Sequence, residues 1–271
     1  MNRFLATNRD NWNERVAIHL KDETGFYRVD QFRRGADLLD PIVDAALGSV
    51  QGLEVAHLQC HFGLDSLTLV RRGATVSGLD FAPAAIAAAR QLAAETGLSA
   101  RFVEANVFDA PDVLGRARFD LVFVTWGALS WIDDLAAWMA GAAALLKPGG
   151  RLFLAEVHPF LWPLEEENGR LVAVVDAVTP LTAPIAEEPE VTYTGAPDPL
   201  RNRRTYEWNH SMAGLFTALT GAGLRLLDCA EHDRLPWPRY PMMRATGDGL
   251  YRLPDDQPRL PLSYTLWAER A

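Results

Sequence analysis

From Glu54 onward the spacing of apolar positions alternates between two periods. Alternating or continuous apolar runs predict strands over Val55–Cys60, Thr75–Leu79, Ala100–Glu104, Phe119–Thr125 and Arg151–Val157. Helical spacing fills the gaps at Ser66–Arg72, Pro83–Thr96 and Ile132–Leu146. The second of these helices has the clearest ends. Pro83 suits a first turn, where the missing N–H is not needed, and Gly97 suits a left-handed stop. Phe119–Thr125 is almost wholly apolar, as expected of a central strand covered on both faces. Strands alternating with helices imply right-handed βαβ units and a parallel sheet, an α/β fold.

The pattern differs on either side of this core. Residues 1–52 read as an N-terminal helical preface. Asn11-Trp12-Asn13 opens one short helix, and Asp37–Leu47 forms a second despite Pro41, before Gly48 and Gly52 break the pattern. Residues 53–271 form the main domain. Within it, 158–208 is rich in proline and holds three β-like pieces, Leu171–Val178, Glu190–Thr194 and Arg204–Trp208. A structureless loop of that length would be unusual, so a small β insert is expected, with Glu165-Glu166-Glu167 as a solvated turn. A helix His210–Ala222, a strand Arg225–Glu231 and a final strand Leu262–Ala268 follow. The last two strands lack a clear helix between them, which suggests an antiparallel end to the sheet.

The chain has 271 residues, 49% of them hydrophobic, and a net charge of −9. That suffices for a large core and argues against broad capture of nucleic acid or an anionic membrane. The basic run Arg201-Asn202-Arg203-Arg204 reads as a solvated strand end. The two cysteines, Cys60 and Cys229, fall in separate predicted strands and make no disulfide framework, which fits a reducing cytoplasm. The opening MNRFLATNRDNWNERV lacks the apolar core of a signal peptide, and no apolar run approaches membrane-spanning length.

In an open α/β sheet a ligand lies beyond the carboxyl ends of the strands. The candidates are therefore the residues that follow each strand. Asp80 ends the second strand about 20 residues past the first turn, where an acid can accept both ribose hydroxyls of a nucleoside. Its structural alternative is a carboxylate favoured by a helix N-terminus. Phe81 could pack on an adenine face or simply in the core. Asn106 could bind an adenine edge, with the Val107 N–H beside it, or stabilise a turn. The loop from Thr125 to Leu129 follows the fourth strand.

The run VAHLQCHFG, then GLDFAP, EANVFDAP, FDLVFVTWGALSWI and above all LLKPGGRLFLAE resembles the class I S-adenosylmethionine (SAM)-dependent methyltransferases over roughly residues 54–157. Within that family it is similar to bacterial small-molecule methyltransferase-like proteins with an HLQCHFG-type first motif. The resemblance implies a Rossmann-like, seven-stranded, mostly parallel sheet in the order 3-2-1-4-5-7-6, with helices on both faces and the seventh strand antiparallel. It also implies SAM as cofactor, S-adenosylhomocysteine as product and Lys147 in the last helical turn before Pro148-Gly149-Gly150. The family's first-motif acid falls on His57 and its three glycines on Gln59, His61 and Gly63. Its ribose acid falls on Asp80 and its adenine-side acid on Asn106, with Phe81, Val107 and Thr125 nearby. Glycines in the first loop let the backbone approach the methionine end of SAM. Gln59 and His61 are expected to replace that room with side-chain hydrogen bonds to the ligand.

Methyl transfer from a sulfonium is an in-line displacement that depends largely on alignment. An oxygen or nitrogen acceptor can also need a base, and His158, His210 and His232, near strand ends, are the candidates. Trp12, Tyr27, Trp162 and Trp208 lie in the preface and insert, and would suit a flat or apolar acceptor under a lid made by those segments. His57, Cys60 and His61 are close in sequence, but strand alternation sends His57 and Cys60 to opposite faces, so no metal site is expected. The expected partner is a small molecule, with no nucleic acid or membrane, and a homodimer stays open. A SAM-binding protein without transferase activity is the main alternative. An RNA methyltransferase and an NAD-type oxidoreductase rank lower, given the acidic balance and the missing GxGxxG.

Overall fold

In the computed structural model, which describes residues 3–271, three helices precede the sheet: α1 (Arg3–Lys21), α2 (Val29–Arg33) and α3 (Pro41–Leu47). The first starts well before the predicted Asn11. Its buried stripe is Asn8, Asn11, Arg15, Val16 and His19, which is helical in spacing but mostly polar, so a search for apolar periodicity misses it. Asn8 lends its amide to the backbone of Tyr206 in both directions, donating to the carbonyl and accepting from the N–H, each at 2.8 Å. Pro41 opens α3, where Asp40 caps the N–H groups of Ile42 and Val43.

The alternating core follows: β1 (Glu54–Leu58), α4 (Leu64–Arg71), β2 (Thr75–Asp80), α5 (Pro83–Thr96), β3 (Arg101–Glu104), α6 (Ala110–Leu114), β4 (Phe119–Thr125), α7 (Leu135–Leu145) and β5 (Leu146–Val157). Helix α7 stops at Leu145, so Lys147 sits beyond it, ion-paired with Asp120 at 2.8 Å. The insert holds β6 (Leu164–Glu167) hairpinned to β7 (Arg170–Ala173), and β8 (Ile185–Glu187) paired to β9 (Thr205–Glu207). The three glutamates expected in a solvated turn are thus part of a strand. Glu190–Thr194 is not a strand, because Thr192 and Thr194 bond to each other through their hydroxyls at 2.6 Å, just before a turn at Gly195. Then come α8 (Met212–Gly221), β10 (Leu224–His232), a short hairpin of β11 (Arg244–Ala245) and β12 (Tyr251–Arg252), and β13 (Ser263–Arg270).

Seven strands form one sheet in the order β3-β2-β1-β4-β5-β13-β10. The five from β3 to β5 are parallel, and β13 runs antiparallel to both β5 and β10. This is the 3-2-1-4-5-7-6 order, with the late strands taking the seventh and sixth places. Alternate residues of the central strands feed opposite cores, as a period of two requires. Ala56, Leu58, Val122 and Val124 pack with α6, α7 and α8, whereas Val55, Leu121 and Phe123 pack with α3 and α4.

Gly63 ends the turn after β1 at φ +79°, and a Cβ there would lie 2.8 Å from the Phe102 ring. The close approach of turn, β3 and α5 therefore needs this glycine. No helix among the described residues is long and apolar enough to cross a membrane.

Candidate functional site

The carboxyl ends of β1, β2 and β4 open into a cavity of about 1010 Å³, walled on the far side by α1 and the insert. That is at the upper end of the ~300–1,000 Å³ range of small-molecule sites, room enough for two ligands side by side.

The turn after β1 keeps a glycine-like backbone without the glycines. Gln59 and His61 both sit in the left-handed region, at φ 54° and 50°. Each such residue costs roughly 1–2 kcal/mol, so the surroundings must hold it. The Gln59 amide donates to the Ala128 carbonyl at 2.7 Å and accepts from the Trp138 indole N–H at 3.0 Å. The His61 N–H donates to Asp80 Oδ2 at 2.9 Å, and its ring Nε2 lies 2.9 Å from His19 Nδ1. Both residues line the cavity. The amide of Gln59 is engaged by protein at both ends, with one N–H and one lone pair still free of these two bonds. His61 likewise turns one ring nitrogen to a histidine of α1. Burial pushes the His61 and His57 imidazoles down to about 3, and that of His19 to about 2, so all three are neutral. His57 faces the core at Ser66, 2.7 Å away.

Asp80 ends β2 on the cavity wall and is 7% exposed. Its two oxygens accept from the N–H groups of His61 and Ala82, each at 2.9 Å. A carboxylate offers about four acceptor positions, so positions remain for a ligand. Burial pushes its pKa up to about 6 against those hydrogen bonds. Phe81, Asn106, Val107 and Thr125 line the same cavity. Asn106 also caps a turn of 3-10 helix through Phe108 N–H at 3.2 Å, so the turn-stabilising alternative holds as well. Thr125 donates to Asp65 at 3.0 Å, and burial pushes Asp65 up to about 6.

Trp12, Tyr27, Trp162 and Trp208 all line the cavity. The three histidines expected near the chemistry do not. His158 caps a turn at Phe160 and lies 3.0 Å from Glu231, so both its ring nitrogens are engaged. His210 bonds the Ile132 carbonyl at 2.7 Å, and His232 lies 3.1 Å from the Thr265 hydroxyl. A residue's place at a strand end fixes its height in the sheet but not the face it takes.

Three features were missed, two on the cavity wall and one behind it. Glu156, 2% exposed, accepts from the N–H groups of Gly127, Ala128 and Leu129 and so shapes the loop after β4. Its signal was a lone acid in an otherwise apolar strand end. Arg15 is 5% exposed and lines the cavity from α1. Glu207 lines it from β9, and burial pushes its pKa up to about 7, with Arg15 opposing. Neither carried a local sequence signal, because only the folded insert brings them to the site.

Residues 56–152 match the family model of a methyltransferase domain. A solved S-adenosylmethionine-dependent methyltransferase from Mesorhizobium loti superposes with a TM-score of 0.61 at 21% identity, covering 88% of this chain and 100% of that one. Another, from Methanosarcina mazei, gives 0.54 at 19% identity, covering 87% and 99%. The chain thus has the fold of the class I SAM-dependent methyltransferases. Curated relatives match the methyltransferase domain more closely. A ubiquinone biosynthesis O-methyltransferase from a Methylobacterium species is 34% identical over 155 residues, covering 54% of this chain and 61% of that protein. Its Xylella fastidiosa counterpart is 35% identical over 112 residues, covering 41% and 44%. The chain thus spans about half the length of the curated relatives it matches.

Proposed function

We propose that the chain binds SAM and transfers its methyl group to an oxygen of a small-molecule acceptor, leaving S-adenosylhomocysteine. Asp80 carries this reading. It is a buried carboxylate at the end of β2, ionised at neutral pH, held rigid by two backbone N–H groups and retaining lone pairs on the cavity wall. That is what a ribose diol requires. On this reading Phe81 takes the adenine face, Asn106 and the Val107 N–H its edge, and the strained turn at Gln59–Gly63 the methionine end, which their shared place on the cavity wall supports. The choice of oxygen rests on the O-methyltransferases among the relatives.

When bound, SAM supplies a methyl group already activated on its sulfonium. The protein's share is alignment, exclusion of water and acceptance of the acceptor's proton. Residues 3–52 and the insert at 158–208 close the acceptor side, where Trp12, Tyr27, Trp162 and Trp208 form apolar walls. Glu207 takes the proton in place of the three histidines, which stand away from the cavity. The free thiols of Cys60 and Cys229 suit a reducing compartment.

Titration calorimetry with SAM and S-adenosylhomocysteine tests the reading. Both should bind, and Asp80→Ala should weaken both at least tenfold. No binding of either at millimolar concentration overturns it. Binding without transfer of label from methyl-labelled SAM to any small molecule of a cell extract leaves a binding protein and overturns the transferase.

A further inference from the structure

Arg15 stands out among the groups that the methyl-transfer reading does not use. It lies on α1, is 5% exposed and lines the cavity. Its guanidinium carbon lies 5.1 Å from the Trp12 ring centroid, 5.9 Å from that of Trp131 and 5.8 Å from that of Tyr193. Its Nε has no hydrogen-bond partner. Among the described residues no carboxylate forms an ion pair with it, although Glu207 is close enough to act on it electrostatically. A buried guanidinium without a carboxylate costs several kcal/mol, and flanking rings return only about 2 kcal/mol when desolvated. A site built this way lacks its anion.

We propose that Arg15 binds a carboxylate carried by the acceptor, and that the acceptor is therefore an aromatic acid. The proposal rests on the methyl-transfer reading and names its substrate class. A planar fork matches a carboxylate in two parallel hydrogen bonds. The surroundings favour one negative charge over two, because the carboxylates on the cavity wall, Glu207 and Glu187 among them, outnumber its guanidiniums, Arg15, Arg28 and Arg239. Trp12, Trp131 and Tyr193, which surround the guanidinium, offer edges and faces to a ring attached to that carboxylate. The position also fits. The Trp12 and His61 rings meet at 5.2 Å, so the Arg15 subsite adjoins the turn after β1. An acid held at Arg15 shares one cavity with Glu207 and with the turn after β1.

The test uses the full chain saturated with S-adenosylhomocysteine, with 4-hydroxyphenylacetate, 3-hydroxybenzoate and their neutral amides as probes, read by quenching of tryptophan fluorescence. At least one acid should bind ten times more tightly than its own amide. Arg15→Gln should abolish that preference while leaving the affinity for S-adenosylhomocysteine within twofold, and Arg15→Lys should retain part of it. Equal binding of acids and amides, failure of every acid to bind, or an unchanged preference in Arg15→Gln overturns the proposal. If Arg15→Gln does not fold, the Arg15→Lys comparison decides: full preference there shows that a point charge suffices and overturns the bidentate site. Loss of S-adenosylhomocysteine binding by the unmodified chain is a separate result, which overturns the methyl-transfer reading instead.

Discussion

The Gln59 amide donates to the carbonyl oxygen of Ala128 at 2.7 Å, tying the turn after β1 to the loop after β4. The other end of the same amide accepts from the Trp138 indole, on a side chain only 1% exposed. Glu156 fixes the Ala128 loop from its far side. The three elements behave as one rigid floor, which is how a turn with two left-handed non-glycine residues persists.

Gln59→Gly should therefore destabilise the protein, although it restores the residue type that the backbone prefers. Relief of the left-handed conformation returns roughly 1–2 kcal/mol. Against this stand a buried indole N–H and a carbonyl left unpaired, at about 1–3 kcal/mol each. A net loss of about 1–3 kcal/mol in chemical denaturation is expected. A variant more stable than the parent would show that the two hydrogen bonds do not hold the turn.

The order of the sheet was legible because each strand and helix announces itself locally. Pro83 and Gly97 bracket α5 as predicted, and Phe119–Thr125 is a central strand. Asp80 was legible because its distance from the first turn is set by one βα unit. On the acceptor side only the aromatics Trp12, Tyr27, Trp162 and Trp208 were legible. Asn8, Asn11, Arg15 and His19 are polar residues buried by partners nearly 200 positions away or by the cavity itself, so α1 reads as a solvated segment until the insert is folded against it. The histidines after β5 and β10 were judged by chain position, and their side chains turned to Glu231 and Thr265 instead.

On the proposed ribose role, Asp80 should make the affinity for SAM dependent on pH. Its folded pKa, about 6, is above the ordinary 3.8 because of burial. Between those values the native state holds a proton that the unfolded chain has released, so the stability this proton contributes is complete below 3.8 and lost as pH rises through 6. Binding runs the other way, since the ribose hydroxyls need the ionised carboxylate as acceptor. Affinity should rise about tenfold from pH 5 to pH 7. Calorimetry across that range checks it, and the weakly binding Asp80→Ala should lose most of the slope. Asp65, also raised to about 6, accounts for what remains.

His19 should set part of the acid limit of stability. Burial, then His61 and Arg15, hold it down to about 2, so the native state refuses a proton that the unfolded chain takes at its usual 6.5. The stability involved is complete above 6.5 and lost progressively as pH falls toward 2, by about 1.4 kcal/mol per pH unit. His19→Phe keeps a ring against Trp12 and Tyr27 and removes the unpartnered buried Nε2. Denaturation midpoints measured from pH 4 to pH 6 should fall less steeply in this variant, by the equivalent of one proton. An unchanged slope would mean that His19 takes up its proton in the folded protein.

Glu207 offers the sharpest test of the chemistry. It lies on β9, lines the cavity and is pushed up to about 7 by burial, with Glu187 adding and Arg15 and Arg239 opposing. A base with a pKa near the working pH transfers protons most effectively. Glu207→Gln keeps the shape and removes the proton acceptor, so turnover should fall by about 10²–10⁴ with the affinity for SAM within twofold. The parent's rate should climb as pH rises through 7, as Glu207 ionises, and the variant's residual rate should lose that inflection. His158→Ala is the control, since its ring bonds to Glu231 and Phe160 rather than the cavity. It should leave both the turnover and the inflection in place. If His158→Ala abolishes turnover while Glu207→Gln does not, the proton leaves by a route other than β9.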